Sequence, residues 1–240
     1  MKSPTTDQQP AGPSTARIWL PTVLVYLLAP LILLVCGGDL RWWQAWVFSV
    51  LIVTAGIASR IWAERRHPGL MEERTRFGGA ASAAKPWDRV LAPLMAVSLV
   101  FPPVIVAGLD HRFGWSAPLP AWLHFLGLLL IASGYAFASW ALAENRFFAT
   151  VVRIQTDRGH EVCDSGPYRF VRHPGYAGNI LPLPGIVLAL GSVWTLIPAA
   201  VALIIAIVRT ELEDRTLQQE LAGYREYARR VRFRLLPWIY

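Results

Sequence analysis

The feature that most constrains this fold is a series of apolar stretches, each about as long as a bilayer's hydrocarbon core is thick. Crossing that core takes about 20 helical residues. Four stretches are long and apolar enough to do so, at residues 18–36, 42–62, 90–108 and 121–143. The mean hydropathy of +0.38 and the charged fraction of 16% also favour a membrane protein over a water-soluble domain. The sequence therefore predicts an all-α, polytopic integral membrane protein.

A fifth apolar region, residues 176–208, is interrupted by Gly191 and Ser192. We interpret it as a C-terminal helical hairpin with arms at residues 176–190 and 194–208, both of which are short for a full span. Pro182 and Pro184 should kink the first arm, because proline removes a backbone hydrogen bond. The predicted fold class is thus four transmembrane helices followed by a helical hairpin.

The distribution of positive charge predicts the orientation. Of 23 Lys and Arg residues, only Arg41 and Arg112 fall in the short connectors after the first and third spans. By the positive-inside rule, both termini and the loops at residues 63–89 and 144–175 should be cytosolic, in a multi-pass protein of the inner membrane. The net charge of +7 follows this topology, so we expect contact with anionic membrane lipids and no nucleic-acid partner. No spacing of metal-ligating residues occurs, and no metal is expected.

The chain divides into three predicted regions. Residues 1–15 are rich in Pro, Thr, Ser and Gln and are expected to be a disordered cytosolic tail. Residues 16–143 form the four-helix transmembrane region. Residues 144–240 carry the chemistry and include the helical hairpin and a cytosolic C-terminal helix, which with the loops builds a cytosolic cofactor pocket. The longest loop, residues 144–175, is too short for a Rossmann domain, and neither a GxGxxG nor a P-loop motif is present. A nucleotide-like cofactor would have to be held by loops and helix ends.

The residues at 166–178, with the sequence GPYRFVRHPGYAG, are unusual for a plain connector. Prolines and glycines restrict the backbone there, and tyrosines, arginines and a histidine stand between them. This combination predicts a short cofactor clamp at the membrane surface.

Several segments carry a family resemblance. Residues 160–163 (HEVC), 165–168 (SGPY) and 172–178 (RHPGYAG) resemble the C-terminal signature of the isoprenylcysteine carboxyl methyltransferase family and its bacterial relatives. The later part of that signature is matched by Arg209, Glu213-Asp214, Tyr224, Tyr227, Arg229-Arg230 and Leu236-Pro237. The resemblance covers roughly residues 140 to 240.

This resemblance implies S-adenosyl-L-methionine as the cofactor. The cofactor-binding positions that it implies are His160, Glu161, Val162, Cys163, Tyr168, His173, Pro174, Gly175, Tyr176 and Glu213. Glu213 would accept hydrogen bonds from the cofactor's ammonium group, while Arg209 would hold an acceptor carboxylate in a bidentate contact, which makes these two the candidate catalytic residues. Asn179 is a candidate substrate contact or a structural residue. Alternatively, Arg209 and Glu213 form an i,i+4 salt bridge on one helix.

The predicted function is methyl transfer to a lipophilic acceptor that enters from the bilayer, with a carboxylate such as that of a prenylated cysteine as the favoured acceptor. A carboxylate is already deprotonated at neutral pH, so catalysis would consist of alignment and desolvation without a general base. Phospholipid N-methylation and thiol S-methylation are alternatives within the class. Two other classes stay open: a sterol-type reductase that uses NADPH, and a membrane scaffold without catalytic activity.

Overall fold

A computed structural model describes residues 15–75 and 84–240, and every regular element among them is helical. The predicted N-terminal tail lies almost entirely outside these residues and stays a prediction. The α-helices are α1 (Thr15–Gly37), α2 (Trp43–Arg66), α3 (Leu70–Thr75), α4 (Asp88–Ser98), α5 (Phe101–Phe113), α6 (Ala121–Glu144), α7 (Pro174–Ile180), α8 (Pro182–Leu190), α9 (Leu196–Glu220) and α10 (Tyr224–Arg230). Short 3-10 turns occur at Thr156–Arg158, Gly166–Arg169 and Val193–Thr195.

The prediction of an all-helical membrane protein is confirmed. Four segments are long and apolar enough to span a bilayer: Trp43–Arg66, Asp88–Phe113, Ala121–Glu144 and Val193–Glu220. The segments Thr22–Gly37 and Pro174–Leu190 are shorter apolar helices. The second arm of the hairpin and the predicted C-terminal helix with Arg209 and Glu213 form one continuous helix, α9. The apolar run ends at residue 208, and α9 continues past it through a polar segment to Glu220.

The third predicted span is broken into α4 and α5 at Leu99 and Val100. Pro102 and Pro103 lie in the first turn of α5 and cannot donate backbone hydrogen bonds to the carbonyls four residues earlier. The helix consequently stops and restarts at this point. In the same way, the first arm of the hairpin is divided at Leu181 into α7 and α8, immediately before Pro182.

Close packing of α6 against α7 and α8 holds the hairpin in place. A Cβ atom on Gly178 would lie 2.5 Å from the backbone nitrogen of Ala138, and one on Gly127 would lie 2.3 Å from that of Ala189. Neither contact is possible for a real side chain, so glycine lets the helix backbones approach. This packing fixes the position of His173 and Tyr176, which lie at the start of α7.

A buried polar cluster fixes α9 to α5 at the other end of the bundle. The carboxylate of Asp110 accepts hydrogen bonds from the hydroxyls of Ser192 at 2.5 Å and Ser116 at 2.6 Å. Asp110 is only 2% exposed, and these donors replace the water that it loses on burial. Because Ser192 precedes α9, this cluster sets where α9 enters the bundle.

Candidate active site

A cavity of about 780 Å³, including its mouth, opens where the end of α6, the loop at residues 145–173, α7, α9 and α10 meet. Most of the predicted site residues line it, although they come from distant parts of the sequence. These are His160, Glu161, Val162, Cys163, Tyr168, His173, Gly175, Tyr176, Arg209 and Glu213. Pro174 is buried in the first turn of α7 and does not line the cavity, and Asn179 is exposed on α7 away from it.

The loop that precedes α7 is held against the C-terminal segment. The backbone N–H groups of Arg172 and His173 donate to the carbonyls of Phe233 and Arg234, each at 2.9 Å. The hydroxyl of Tyr227 donates to the carbonyl of Tyr168 at 2.8 Å. The clamp predicted from the sequence is thus rigid because a second segment binds its backbone.

Asp214 is the centre of a buried charge network beneath the cavity. Its carboxylate, which is completely buried, accepts a bidentate pair of hydrogen bonds from Arg172 at 2.7 and 2.9 Å. His173 Nε2 lies 3.2 Å from the same carboxylate, and the Tyr224 hydroxyl donates to it at 3.1 Å. Arg172 also donates from Nη1 to the carbonyls of Val231 and Arg232 at 2.8 Å. Arg172 and Asp214 therefore fix the clamp; Arg172 also lines the cavity, whereas Asp214 lies behind its lining residues.

Glu213 faces the cavity itself. It accepts a short hydrogen bond from the hydroxyl of Tyr176, and its Oε1 lies 3.9 Å from His173 Nδ1. The rings of His173 and Tyr176 stack with an interplanar angle of 6°. The side chain is 22% exposed, so this carboxylate keeps acceptor capacity for a cationic group in the cavity.

Arg209 does not pair with Glu213. Its Nε and Nη2 donate to the two carboxylate oxygens of Asp88 at 2.7 and 3.1 Å, and Nη2 also donates to the carbonyl of Thr150 at 3.0 Å. The guanidinium carbon lies 5.3 Å from the centre of the Tyr176 ring. The i,i+4 salt bridge offered as an alternative is therefore not formed, and most of the binding capacity of Arg209 is taken up by a carboxylate of this chain.

Asp88 is the residue that the sequence interpretation missed. It is fully buried at the start of α4, and its Oδ2 also accepts the backbone N–H of Val152 at 2.5 Å. It thereby connects α4, α9 and the loop that forms one wall of the cavity. The sequence contained one indication of such a residue. An arginine buried in a membrane helix needs a carboxylate partner, and Arg209 is an arginine of this kind.

His160 is neutral at physiological pH. Burial, followed by the positive charges of Arg153 and Arg158, lowers the pKa of His160 to about 4. The backbone N–H of Gln155 points at His160 Nδ1 at 3.2 Å. An N–H group can only donate, so Nδ1 is the acceptor and Nε2 carries the proton.

The low pKa of His160 predicts a loss of stability in mild acid. The unfolded chain binds a proton at this position near pH 6.5, whereas the folded chain does so only near pH 4, so stability should fall as the pH drops between these values. We expect His160→Gln to flatten this part of the pH profile. The measurement is the thermal unfolding midpoint in detergent at pH 7.5, 5.5 and 4.5 for both proteins; parallel profiles would contradict the assignment.

Arg153 adds an unsatisfied donor to the cavity wall. Its terminal nitrogens pair with Glu73 and with Asp157, the latter at 3.0 Å, while its Nε is buried and has no hydrogen-bond partner among the described residues. Buried donors of this kind normally have a partner. A ligand with an anionic or carbonyl oxygen would provide one. In the described part of the chain, no group of His, Cys, Asp and Glu side chains is arranged to hold a metal ion.

Comparison with known proteins gave one informative result. A search of curated proteins found no match. Residues 122–222 match the family model for phospholipid methyltransferases. The matched segment holds α6, the clamp, the hairpin and α9, and so contains most of the cavity's lining residues. The match indicates a membrane methyltransferase, and this part of the chain is similar to that family.

Proposed function

We propose that this chain is an S-adenosylmethionine-dependent methyltransferase of the cytoplasmic membrane that acts on a lipophilic acceptor. The observation that carries the proposal is the position of Glu213 and the clamp around one cavity, within the segment that matches phospholipid methyltransferases. The cavity is built from loops and the ends of membrane helices. A substrate dissolved in the bilayer can therefore reach it without a soluble substrate domain.

The residues around the cavity fit the proposed cofactor. S-adenosylmethionine supplies an activated methyl group on a sulfonium centre. Glu213 would accept hydrogen bonds from the ammonium group, and the unpaired Nε of Arg153 would meet the carboxylate. The apolar side chains of Val162, Leu217 and Leu221 form a surface of the cavity suited to an adenine ring.

The contribution of this chain to catalysis is to orient the reactants and to exclude water. The clamp residues are held by backbone hydrogen bonds to the C-terminal segment, so they lose little freedom when a ligand binds. His173 and Tyr176 are stacked and connected to Asp214 and Glu213, which fixes both rings. Arg209 and Asp88 hold the loop at residues 150–152 against α9 and close one side of the cavity.

The amine of a phospholipid is the acceptor that we propose first. The family match supports it, and so does the pairing of Arg209, because a neutralised arginine does not repel an amine. A carboxylate acceptor is the second candidate. One observation favours it: Nη1 of Arg209 has no hydrogen-bond partner among the described residues and could donate to such a carboxylate. The same guanidinium lies over the Tyr176 ring, which lines the cavity.

A labelling experiment tests the function and separates the two acceptors. The purified protein would be incubated with a bacterial lipid extract and methyl-labelled S-adenosylmethionine. We expect label in the lipid fraction. Mild alkali should leave the label in a non-volatile headgroup if an amine was methylated, and should release it as volatile methanol if a carboxylate was esterified. A folded protein that labels no lipid from several extracts would contradict the proposal.

A further inference from the structure

Two arginines near the cavity have no carboxylate partner in the part of the chain that the structure describes. Arg60 donates to the carbonyl of Gly56 at 3.3 Å, and its guanidinium carbon lies 4.6 Å from the centre of the Tyr26 ring. Arg74 donates to the carbonyl of Phe148 at 3.2 Å, with its guanidinium carbon 5.1 Å from the centre of that ring. Neither has an acidic partner among the described residues, and the neighbouring residues 76–83 contain no Asp or Glu.

The lack of a carboxylate partner is unusual for arginines at this end of the bundle. Three further arginines at this end, each with little of its side chain exposed, have a carboxylate: Arg153 has Glu73, Arg172 has Asp214 and Arg209 has Asp88. A carbonyl oxygen and an aromatic face satisfy a guanidinium only in part, because neither carries a full negative charge. The missing counter-charge must come from outside the described residues.

The two residues place this unbalanced charge at the edge of the membrane region, because Arg60 lies within a candidate span and Arg74 lies on α3, outside the candidate spans. Arg60 lies inside the apolar segment of α2, about 9 Å along the helix axis from its end. An arginine at such a depth needs a partner and marks a functional site. Burial, together with the charges of Arg60 and Arg209, lowers the pKa of Arg74 to about 10. Arg74 therefore stays charged at neutral pH, close to other positive groups.

The surroundings are suited to a lipid. Next to the two arginines, α2, α3 and α6 contribute an apolar cluster: Ala63, Leu70, Met71 and Leu142, with Trp19 and Phe148 packed against them. On α1, Leu20 and Leu24 are more than half exposed and face outward. A site that combines two guanidinium groups with apolar surface at the edge of the membrane region matches a phosphate with acyl chains attached.

The site adjoins the cavity through one short loop. The hydroxyl of Thr150 donates to the backbone carbonyl of Arg74 at 3.2 Å, and the carbonyl of Thr150 accepts from Arg209. The Phe148 ring lies beside Arg74 and also lines the cavity. A group bound by Arg60 and Arg74 would thus sit against the outer side of the cavity wall.

We propose that Arg60 and Arg74 bind the phosphate of a membrane lipid whose acyl chains lie in the bilayer beside α1 and α2. This site goes beyond the proposed methyl transfer and does not depend on it. Gly56 supports the arrangement, because a Cβ atom there would lie 2.2 Å from the Tyr26 ring on which Arg60 rests. Glycine leaves the space that this ring occupies.

The test is lipid binding to the full-length protein in lipid-free detergent, measured by calorimetric titration with dioctanoyl phosphatidylglycerol. Dioctanoylglycerol is the matched probe without phosphate, and inorganic phosphate at constant ionic strength is the probe without acyl chains. We expect the phospholipid to bind much more tightly than either. Since hydrogen bonds to charged groups are lost, the double variant Arg60→Gln/Arg74→Gln should weaken phospholipid binding by about tenfold or more.

The control is Arg65→Gln/Arg229→Gln, which removes two exposed arginines from the same end of the bundle and should leave phospholipid affinity unchanged. Circular dichroism and a single symmetric elution peak in detergent check that each variant is folded, independently of cofactor binding. If the double variant does not fold, each single variant should still weaken phospholipid binding by about threefold or more. Unchanged affinity in folded variants would overturn the proposal. Inorganic phosphate binding as tightly as the phospholipid would overturn the assignment to a lipid.

Discussion

Replacement of Asp88 by asparagine should lower the free energy of unfolding by about 3–5 kcal/mol, because it leaves Arg209 buried without a counter-charge. Asp88 is completely buried and accepts two hydrogen bonds from Arg209 and one from the backbone of Val152. Asparagine retains the shape of the side chain and removes the charge. The measurement is reversible unfolding of the wild-type and variant proteins in mixed micelles.

The control for this prediction is Asp39→Asn. Asp39 pairs with His111 at the opposite end of the bundle, where its side chain is 44% exposed, and a solvent-screened surface pair of this kind contributes little, so this replacement should leave stability nearly unchanged. The double variant Asp88→Leu/Arg209→Met should recover much of the stability lost in Asp88→Asn, because it removes both charges together. A loss below about 1 kcal/mol for Asp88→Asn would show that the pair is not the structural connection described above.

The double variant also separates the two acceptors. If Arg209 binds an acceptor carboxylate, the protein should fold and bind the cofactor but lose turnover. If the acceptor is a phospholipid amine, methylation should persist at a measurable rate. Labelled-methyl incorporation, with S-adenosylhomocysteine binding measured on the same preparation, distinguishes the outcomes.

Replacement of Glu213 by glutamine should weaken the binding of S-adenosylhomocysteine by about 10-fold to 100-fold, because a charge-assisted hydrogen bond to the ammonium group becomes a neutral one. Glu213 is the partly exposed carboxylate on the α9 side of the cavity, where Tyr176 holds it in position. The measurement is calorimetric titration of the purified variant in detergent.

Glu211→Gln is the matched control for Glu213. Glu211 lies on the same helix two positions earlier, outside the cavity, and pairs with Arg215, Arg234 and Tyr240. Its replacement should leave the cofactor affinity within about twofold, because a surface ion pair contributes little. Equal affinities for Glu213→Gln and the wild-type protein would exclude the assigned role of Glu213.

The helices could be predicted because membrane burial imposes a simple requirement on composition and length. Residues 121–143 were predicted as a span and form nearly all of α6. The break after α4 was not predicted, because residues 90–108 were assigned to one span from their apolar composition, which does not take account of the two consecutive prolines. The sequence predicts that Arg209 and Glu213 lie on a helix leaving the membrane, but it does not predict where that helix ends, because its polar end is stabilised by contacts with other segments.

The candidate site could be predicted where its residues follow one another in the sequence. His160, Tyr168, His173 and Tyr176 all come from one loop and its following helix, and all line the cavity. The partners of the charged residues could not be predicted, because Asp88 lies 121 positions from Arg209. The spacing of two residues in the sequence shows whether they can meet on one helix. It does not show which distant residues are buried against each other in the folded protein. The orientation of the protein in the membrane and the regional division at residues 16–143 and 144–240 stay predictions.

The most direct test of the central claim is calorimetric titration of the purified, full-length protein with S-adenosylhomocysteine and, separately, with NADPH. The cavity with Glu213 and the clamp predicts saturable binding of S-adenosylhomocysteine and none of NADPH. Binding of NADPH alone by a preparation shown to be folded would contradict the methyltransferase assignment and favour a reductase. Binding of neither would favour a membrane scaffold without catalytic activity.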